Sequence, residues 1–332
     1  MVKIDTDAPV ALILSPYLGD ALFLMAIANN LRRAGRRVAV YGDHGVALAE
    51  WFPGFDLRPL AAANAPGALE ACAAVVQMSQ DAPIAGLAQR HGNFLAIKQA
   101  LPRQPADDGS RGLGAPCNGI MATFRRFTRE FFGVTDWTHD NGLRAPALLR
   151  HGLHPRRVIV HPTSSEPERC WRPAQYAALA NALRARGFDP VFVLARHERP
   201  SWRALLDAHG LTVLEAPDLA HVAGAIFESG WFIGTDSGIG HLASACGIPT
   251  VTIADRPRNM NSWRPMWAPG SIVRPWWLPL RSLRRACWRE ATTVGKALRT
   301  FDALRRRVES QAPAGPQAGH AAPSTPAVDK PA

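Results

Sequence analysis

One stretch, Trp231 to Ala254, WFIGTDSGIGHLASACGIPTVTIA, limits the fold of this chain more than any other. The apolar run Trp231-Phe232-Ile233 stops at Gly234, the polar turn Thr235-Asp236-Ser237-Gly238 follows, and small residues lead to Gly247 and a second apolar run. That order spells strand, turn, helix, strand. Strands joined through a helix pair in parallel by a right-handed crossover. The turn suits an anion, because glycine lets backbone come close and a helix starting near Ile239 aims N–H groups and a positive dipole end at it. His241 falls in the first turn of that helix. The same residues also describe a plain buried turn with Asp236 as the helix cap.

The alternation repeats on both sides of this stretch. Val10 to Leu14 reads as a strand, Ala21 to Ala34 as a helix closed by Gly35, and Val38 to Tyr41 as a second strand. In the second half, strands at Val158 to Val160, Val191 to Leu194 and Val213-Leu214 alternate with helices at Pro173 to Arg186, Pro200 to His209 and Leu219 to Glu228. This spells α/β architecture with doubly wound parallel sheets, in two Rossmann-like halves facing a cleft. The boundaries expected are an acceptor-side domain over 1–150 with an irregular loop at 82–118, a donor-binding domain over 151–272, a basic helical segment over 273–309 and a disordered tail over 310–332.

Composition narrows the setting. With 332 residues the chain has room for two cores, and no apolar run is long enough to span a bilayer. The N-terminus, MVKIDTDAPVALILSP, lacks the basic flank and cleavage site of a signal peptide. The five cysteines never form a CxxC pair, so neither zinc nor a disulfide framework is indicated, and a reducing cytoplasm fits best. The net charge of +11 is mostly arginine, clustered at Arg32 to Arg37, Arg125 to Arg129 and Arg281 to Arg307. Such clusters attract phosphorylated substrates, an anionic inner-membrane surface or polyanions. Nucleic acid is the less favoured partner, for want of zinc-finger spacing or an RNA-recognition signature.

Ligands of doubly wound sheets gather at strand C-terminal ends. Three such ends carry His161-Pro162-Thr163-Ser164, Arg196-His197-Glu198 and the Asp236 turn. Together they suit a diphosphate. Arg169 offers charge, Thr163 and Ser164 hydroxyls, Ser237 and Gly238 backbone N–H groups, His241 a ring donor, and Glu198 an acceptor for ribose hydroxyls. On the other half, Asp20 follows the first strand and is the carboxylate placed to take a proton from an acceptor hydroxyl. The plain alternatives are an N-cap role for Asp20, a buried strand-end role for His161 and a loop position for His197. Among Trp263, Trp267, Trp276 and Trp277, sugar stacking and closure of the domain interface stand equal.

Three blocks make the chain recognisable: LGDALF from Leu18, HPTSSEPERCWRPAQYAALA from His161, and GTDSGIGHLASACGIPTV from Gly234. The chain resembles glycosyltransferase family 9, the lipopolysaccharide heptosyltransferases of the two-domain GT-B class. The resemblance implies an inverting, metal-independent and cofactor-free transfer of heptose from ADP-heptose to a lipid-linked glycan of the lipopolysaccharide core. It also implies a cytoplasmic enzyme, peripheral on the inner membrane, with a C-terminal helix crossing back to the first domain. By matching position Asp20 takes the catalytic aspartate, and Asp236, Gly238 and His241 the donor motif; Thr163, Ser164 and Glu198 match donor contacts. Two places depart from the pattern. Arg169 stands where the family has a lysine, and Ala254-Asp255-Arg256-Pro257 replaces a Gly-Pro-Thr loop. The other classes are a nucleotide-sugar epimerase or hydrolase of the same fold, and a silent binder of nucleotide sugar or nucleic acid.

Overall fold

The structure, a computed structural model, describes residues 7–78, 83–97, 118–255, 263–276 and 281–311. The first domain opens with β1 (Val10–Ile13), α1 (Leu18–Arg33), β2 (Val38–Tyr41), α2 (Asp43–Ala47) and β3 (Asp56–Arg58). It continues with β4 (Ala74–Met78), α3 (Leu87–Arg90), β5 (Phe94–Ile97) and α4 (Asn118–Phe132). The second holds β6 (His154–His161), α5 (Pro173–Arg184), β7 (Asp189–Phe192), α6 (Arg199–Ala208), β8 (Thr212–Val213), α7 (Leu219–Phe227), β9 (Ser229–Thr235), α8 (Gly238–Ala245), β10 (Thr250–Ile253) and β11 (Gly270–Val273). Three helices close the described chain: α9 (Arg281–Ala286), α10 (Trp288–Ala291) and α11 (Val294–Gln311).

Both sheets are parallel. The first runs β3-β2-β1-β4-β5 and the second β11-β10-β9-β6-β7-β8. Central strands such as β1, β2 and β4 are buried along their whole length, as sheets covered on both faces require. In each sheet the strand order reverses beside the first strand, between β1 and β4 in one and between β6 and β9 in the other. Reversal sends successive helices to opposite faces and opens a crevice at the strand C-termini. Asp20 follows β1, and Thr163 and Asp236 follow β6 and β9. Both crevices therefore carry residues singled out by sequence.

The domains meet through α1 and α8. Helix α1 buries nearly its whole length, from Gly19 to Leu31, so it has a domain on either side. Gly19 and Gly238 permit the approach: a Cβ on Gly19 would stand 2.7 Å from the His241 ring, and one on Gly238 would stand 2.7 Å from Leu18 Cβ. Phe23, wholly buried, sits between the rings of His241 and Trp267, each 5.0 Å away, with Trp263 at 5.9 Å. Trp267 donates its indole N–H to the His139 carbonyl at 2.8 Å. Trp263 and Trp267 thus close the domain interface. One apolar cluster runs without a break from β1 and α1 through α7, α8 and the β9 face.

The segment joining the domains lies along α1. Asn30, buried, donates to the Thr138 carbonyl at 2.7 Å and accepts from Thr138 N–H at 2.8 Å; Asn29 donates to the Asp140 carbonyl at 2.9 Å. Two sequence expectations are corrected. Within the stretch read as irregular, residues 83–97 form α3 and β5, the latter an edge strand paired with β4; the rest of that stretch up to residue 117 lies outside the described residues. The other correction concerns α11, which packs on the second domain against β10, β11 and α5, not back across the first. Its Ala297, Leu298, Phe301 and Leu304 join Trp231 and Val273 in a second core. The expected tail lies outside the described residues from 312 onward.

Candidate functional site

Register places the donor-side residues before any side chain is considered. His161 of β6 pairs with Gly234 of β9, and Thr235 of β9 pairs with Ile253 of β10. One or two residues beyond those pairs, Thr163, Asp236 and Asp255 follow at the C-terminal ends of neighbouring strands. A buried hydroxyl chain fixes the edge behind them: Thr235 Oγ1 donates to the Pro162 carbonyl at 3.0 Å and accepts from the Tyr176 hydroxyl at 2.7 Å. Desolvation pushes the Tyr176 pKa up, so it stays a neutral donor. His161 is buried and its Nδ1 donates to the Val193 carbonyl at 2.9 Å, which fits the strand-end role. Burial lowers its pKa and keeps it neutral.

Arg169 ends a 3-10 turn at Pro167–Arg169 and reaches across this edge. Its guanidinium meets Asp236 at 2.5 Å, Glu166 at 3.1 Å and Asp255 at 3.8 Å. Burial works against its charge, but the carboxylates, Asp236 first, outweigh it and raise its pKa. Burial also pushes the Asp236 carboxyl up, with Asp255 and Glu166 adding to the effect and Arg169 opposing it. Asp236 is thus an ion-pair partner. The N-cap of α8 is Ser237, so the plain reading of Asp236 as the cap does not hold.

The helix N-termini of α8 and α1 converge next to this pair, since Gly238 abuts Leu18 and the Gly19 backbone N. Each brings the positive end of its dipole. Several buried polar atoms here have no hydrogen-bond partner: Thr163 Oγ1, Ser237 Oγ, His241 Nδ1 and Arg169 Nε, the last with only the Asp255 carboxylate at 3.8 Å. Buried polar atoms are paired as a rule, and each orphan costs about 1–3 kcal/mol. All four belong to residues expected from the sequence on the donor side.

The remaining expected residues are less uniform. Asp20 lies in the first turn of α1, partly buried, two residues from Leu18, which touches Gly238; Tyr17 is the N-cap, so Asp20 is not. Ser164 Oγ accepts from Glu166 N–H at 3.3 Å and shapes the turn. Glu198 spends one carboxylate oxygen on Ala195 N–H at 2.8 Å, closing the loop before α6. His241 turns toward Gly19 and Phe23 in the domain interface, where burial brings its pKa down to about 4. It offers a neutral ring. Trp276 is 55% exposed with the Lys296 amine 4.3 Å from its ring centre, and Trp277 lies outside the described residues. Sequence reasoning missed Asp255, Glu166 and the Tyr176–Thr235 pair. Asp255 could have been found by the strand-end rule that found Asp236.

Residues 122–274 match the model of glycosyltransferase family 9 (heptosyltransferase). The lipopolysaccharide heptosyltransferase 3 of Escherichia coli is 27% identical over 131 residues, a match that spans 38% of this chain and 38% of that protein. The fold matches a family 9 glycosyl transferase from Veillonella parvula with a TM-score of 0.66 at 14% identity, covering 90% of this chain and 98% of that one. It also matches the E. coli heptosyltransferase WaaC with ADP, with a TM-score of 0.60 at 14% identity, covering 92% and 100%. Two facing Rossmann-like domains of the GT-B class are the fold of this chain.

Proposed function

From its similarity to glycosyltransferase family 9, we propose that this chain transfers a sugar, heptose from ADP-heptose, onto a glycan acceptor of the lipopolysaccharide core or a related lipid-linked glycan. The observation that carries the reading is the set of buried atoms without hydrogen-bond partners on Thr163, Arg169, Ser237 and His241, two of them on residues at the start of α8, whose N-terminus abuts that of α1. A diphosphate supplies the acceptor oxygens those donors need, and two helix N-termini favour its charge. The Asp236 turn and Arg169 would hold that diphosphate, with Thr163, Ser164, Ser237 and Gly238 bonding its oxygens and Glu198 facing the ribose.

In the proposed step, an acceptor hydroxyl attacks the anomeric carbon from the face opposite the diphosphate, and the carbon–oxygen bond to the leaving group breaks. Asp20 takes the hydroxyl proton. Inversion follows from a single displacement. Arg169 stabilises the negative charge that grows on the leaving group, a charge present in the transition state more than in the bound donor. Its three carboxylate partners hold it in place until the diphosphate competes for it.

The acceptor side would include the first domain's basic surface. On α4, Ile120, Met121, Phe124 and Phe127 are buried while Arg125, Arg126 and Arg129 face outward beside an exposed Phe131. Cations beside an exposed aromatic suit the surface of an anionic bilayer. Among the described residues no helix is long and apolar enough to cross a membrane. A peripheral, cytoplasmic position fits both facts.

Thermal unfolding across a panel of nucleotides and nucleotide sugars tests the donor assignment. ADP or ADP-heptose at about 100 times its dissociation constant should add about 2.7 kcal/mol, and Asp236→Ala should abolish the shift. A shift with UDP or GDP compounds alone would replace the donor. No shift with any compound would leave a silent protein.

A further inference from the structure

We infer that Arg289 is a positioning residue for the donor site, pinning the turn that carries Arg169 so that its guanidinium stands against the Asp236 turn. The inference rests on the donor-site reading above. Arg289 lies on the short helix α10, more than a hundred residues along the chain from the turn it grips. Its guanidinium donates to the Cys170 carbonyl at 2.8 Å, the Glu168 carbonyl at 2.7 Å and the Pro167 carbonyl at 3.2 Å. Its own carbonyl accepts from the Trp171 indole at 3.1 Å and from the Gln175 side chain at 2.9 Å.

These five bonds enclose Arg169. The Pro167 carbonyl already accepts the turn's own bond from Cys170 N–H at 3.1 Å, whereas the Glu168 and Cys170 carbonyls at the end of the turn take their bonds from Arg289, and a cation there is favoured by the backbone dipoles. Only an arginine fork spans three of them at once. The anchor is itself fixed: Trp288 is 4% exposed and Thr292, wholly buried, donates its hydroxyl to the Trp288 carbonyl at 2.7 Å. The pin is therefore rigid at both ends.

Position matters because the surroundings of Arg169 do not define it alone. Glu166, Asp236 and Asp255 pull a long side chain in three directions, and they stay attractive over a range of backbone positions. With the turn held, the guanidinium reaches Asp236 closely and Asp255 only at 3.8 Å. A turn released by loss of Arg289 leaves Arg169 paired with carboxylates but out of register with the diphosphate. The neighbouring ion pair between Arg172 and Glu290 is exposed on both sides.

Calorimetric titration of the full chain with ADP and with adenosine separates the two parts of the ligand. We expect Arg289→Ala to weaken ADP at least tenfold and adenosine less than twofold, with Arg289→Lys recovering part of the loss and Glu290→Gln binding both as the parent does. Hydrogen exchange of residues 164–171 should quicken at least tenfold in Arg289→Ala while α11 and β1 keep their protection. Equal losses for ADP and adenosine, or unchanged ADP binding in Arg289→Ala, would overturn the inference. A parent protein that binds neither ligand would instead overturn the donor-site reading, and this inference with it.

Discussion

Asp20 and His241 stand on the two helices through which the domains meet, Asp20 in the first turn of α1 and His241 on α8. Replacing Asp20 by Asn keeps the shape and removes the base, so kcat should fall by about 10²–10⁴-fold while ADP binding stays within about twofold. Single-turnover transfer beside ADP titration checks this, and parallel loss of both would rule out a base. His241 titrates from about 6.5 in the unfolded chain to about 4 when folded. Its stabilising contribution is present above pH 6.5 and disappears as pH falls toward 4, because only the unfolded state takes up the proton in that window. The loss is about 3 kcal/mol. Asp236, whose pKa is raised, works with the opposite sign, contributing below its unfolded value and losing that contribution as pH rises. Urea unfolding at pH 7 and pH 4 should therefore show His241→Gln losing less stability on acidification than the parent, and equal losses would refute the assignment.

At the same scale the sequence was informative where chemistry is local. Thr163, Asp236 and Ser237 stand a few residues past apolar runs, so strand-end position together with the family resemblance selected them. Asp255 obeys the same rule but opens a Pro- and Arg-rich stretch whose irregularity hid it. Arg289 was out of reach, since its partners stand 119 to 122 residues away and no local pattern encodes such a distance.

Among elements, most strands and helices of the second domain were legible to within a few residues because period-2 and period-3.6 signals are local, but β6 begins four residues before the run Val158 to Val160 and β11 was missed. The partner of an amphipathic face is not. The stripe Leu298, Phe301, Leu304 states that one side of α11 is buried and leaves open which domain buries it. The answer is the second, where Phe301 packs edge-on against Phe188 at 5.0 Å and Trp231 at 5.3 Å. Phe301→Ala should cost about 3–5 kcal/mol in chemical unfolding. A cost near zero would mean the helix is dispensable to that domain. Strand β5 was missed for a related reason: FLAI is short and stands between segments rich in Gly, Gln and charge, so only pairing with β4 reveals it.

For the molecule as a whole, the continuous apolar cluster through α1 and α8 couples the two domains. Phe23 occupies its centre. Scanning calorimetry should give one transition for the parent, and Phe23→Ala, at a cost of about 3–5 kcal/mol, should separate the first domain's unfolding from the second's. A parent with two resolved transitions would show that the shared cluster does not link them.

The contact of Gly19 and Gly238 with the opposite domain has a mechanical consequence. It lies beside the place where sugar would change hands, so it serves as a fulcrum for any rocking of one domain on the other. Displacement grows in proportion to distance from a fulcrum. Any such rocking would therefore move the outer rims of the cleft most and the atoms nearest the fulcrum least.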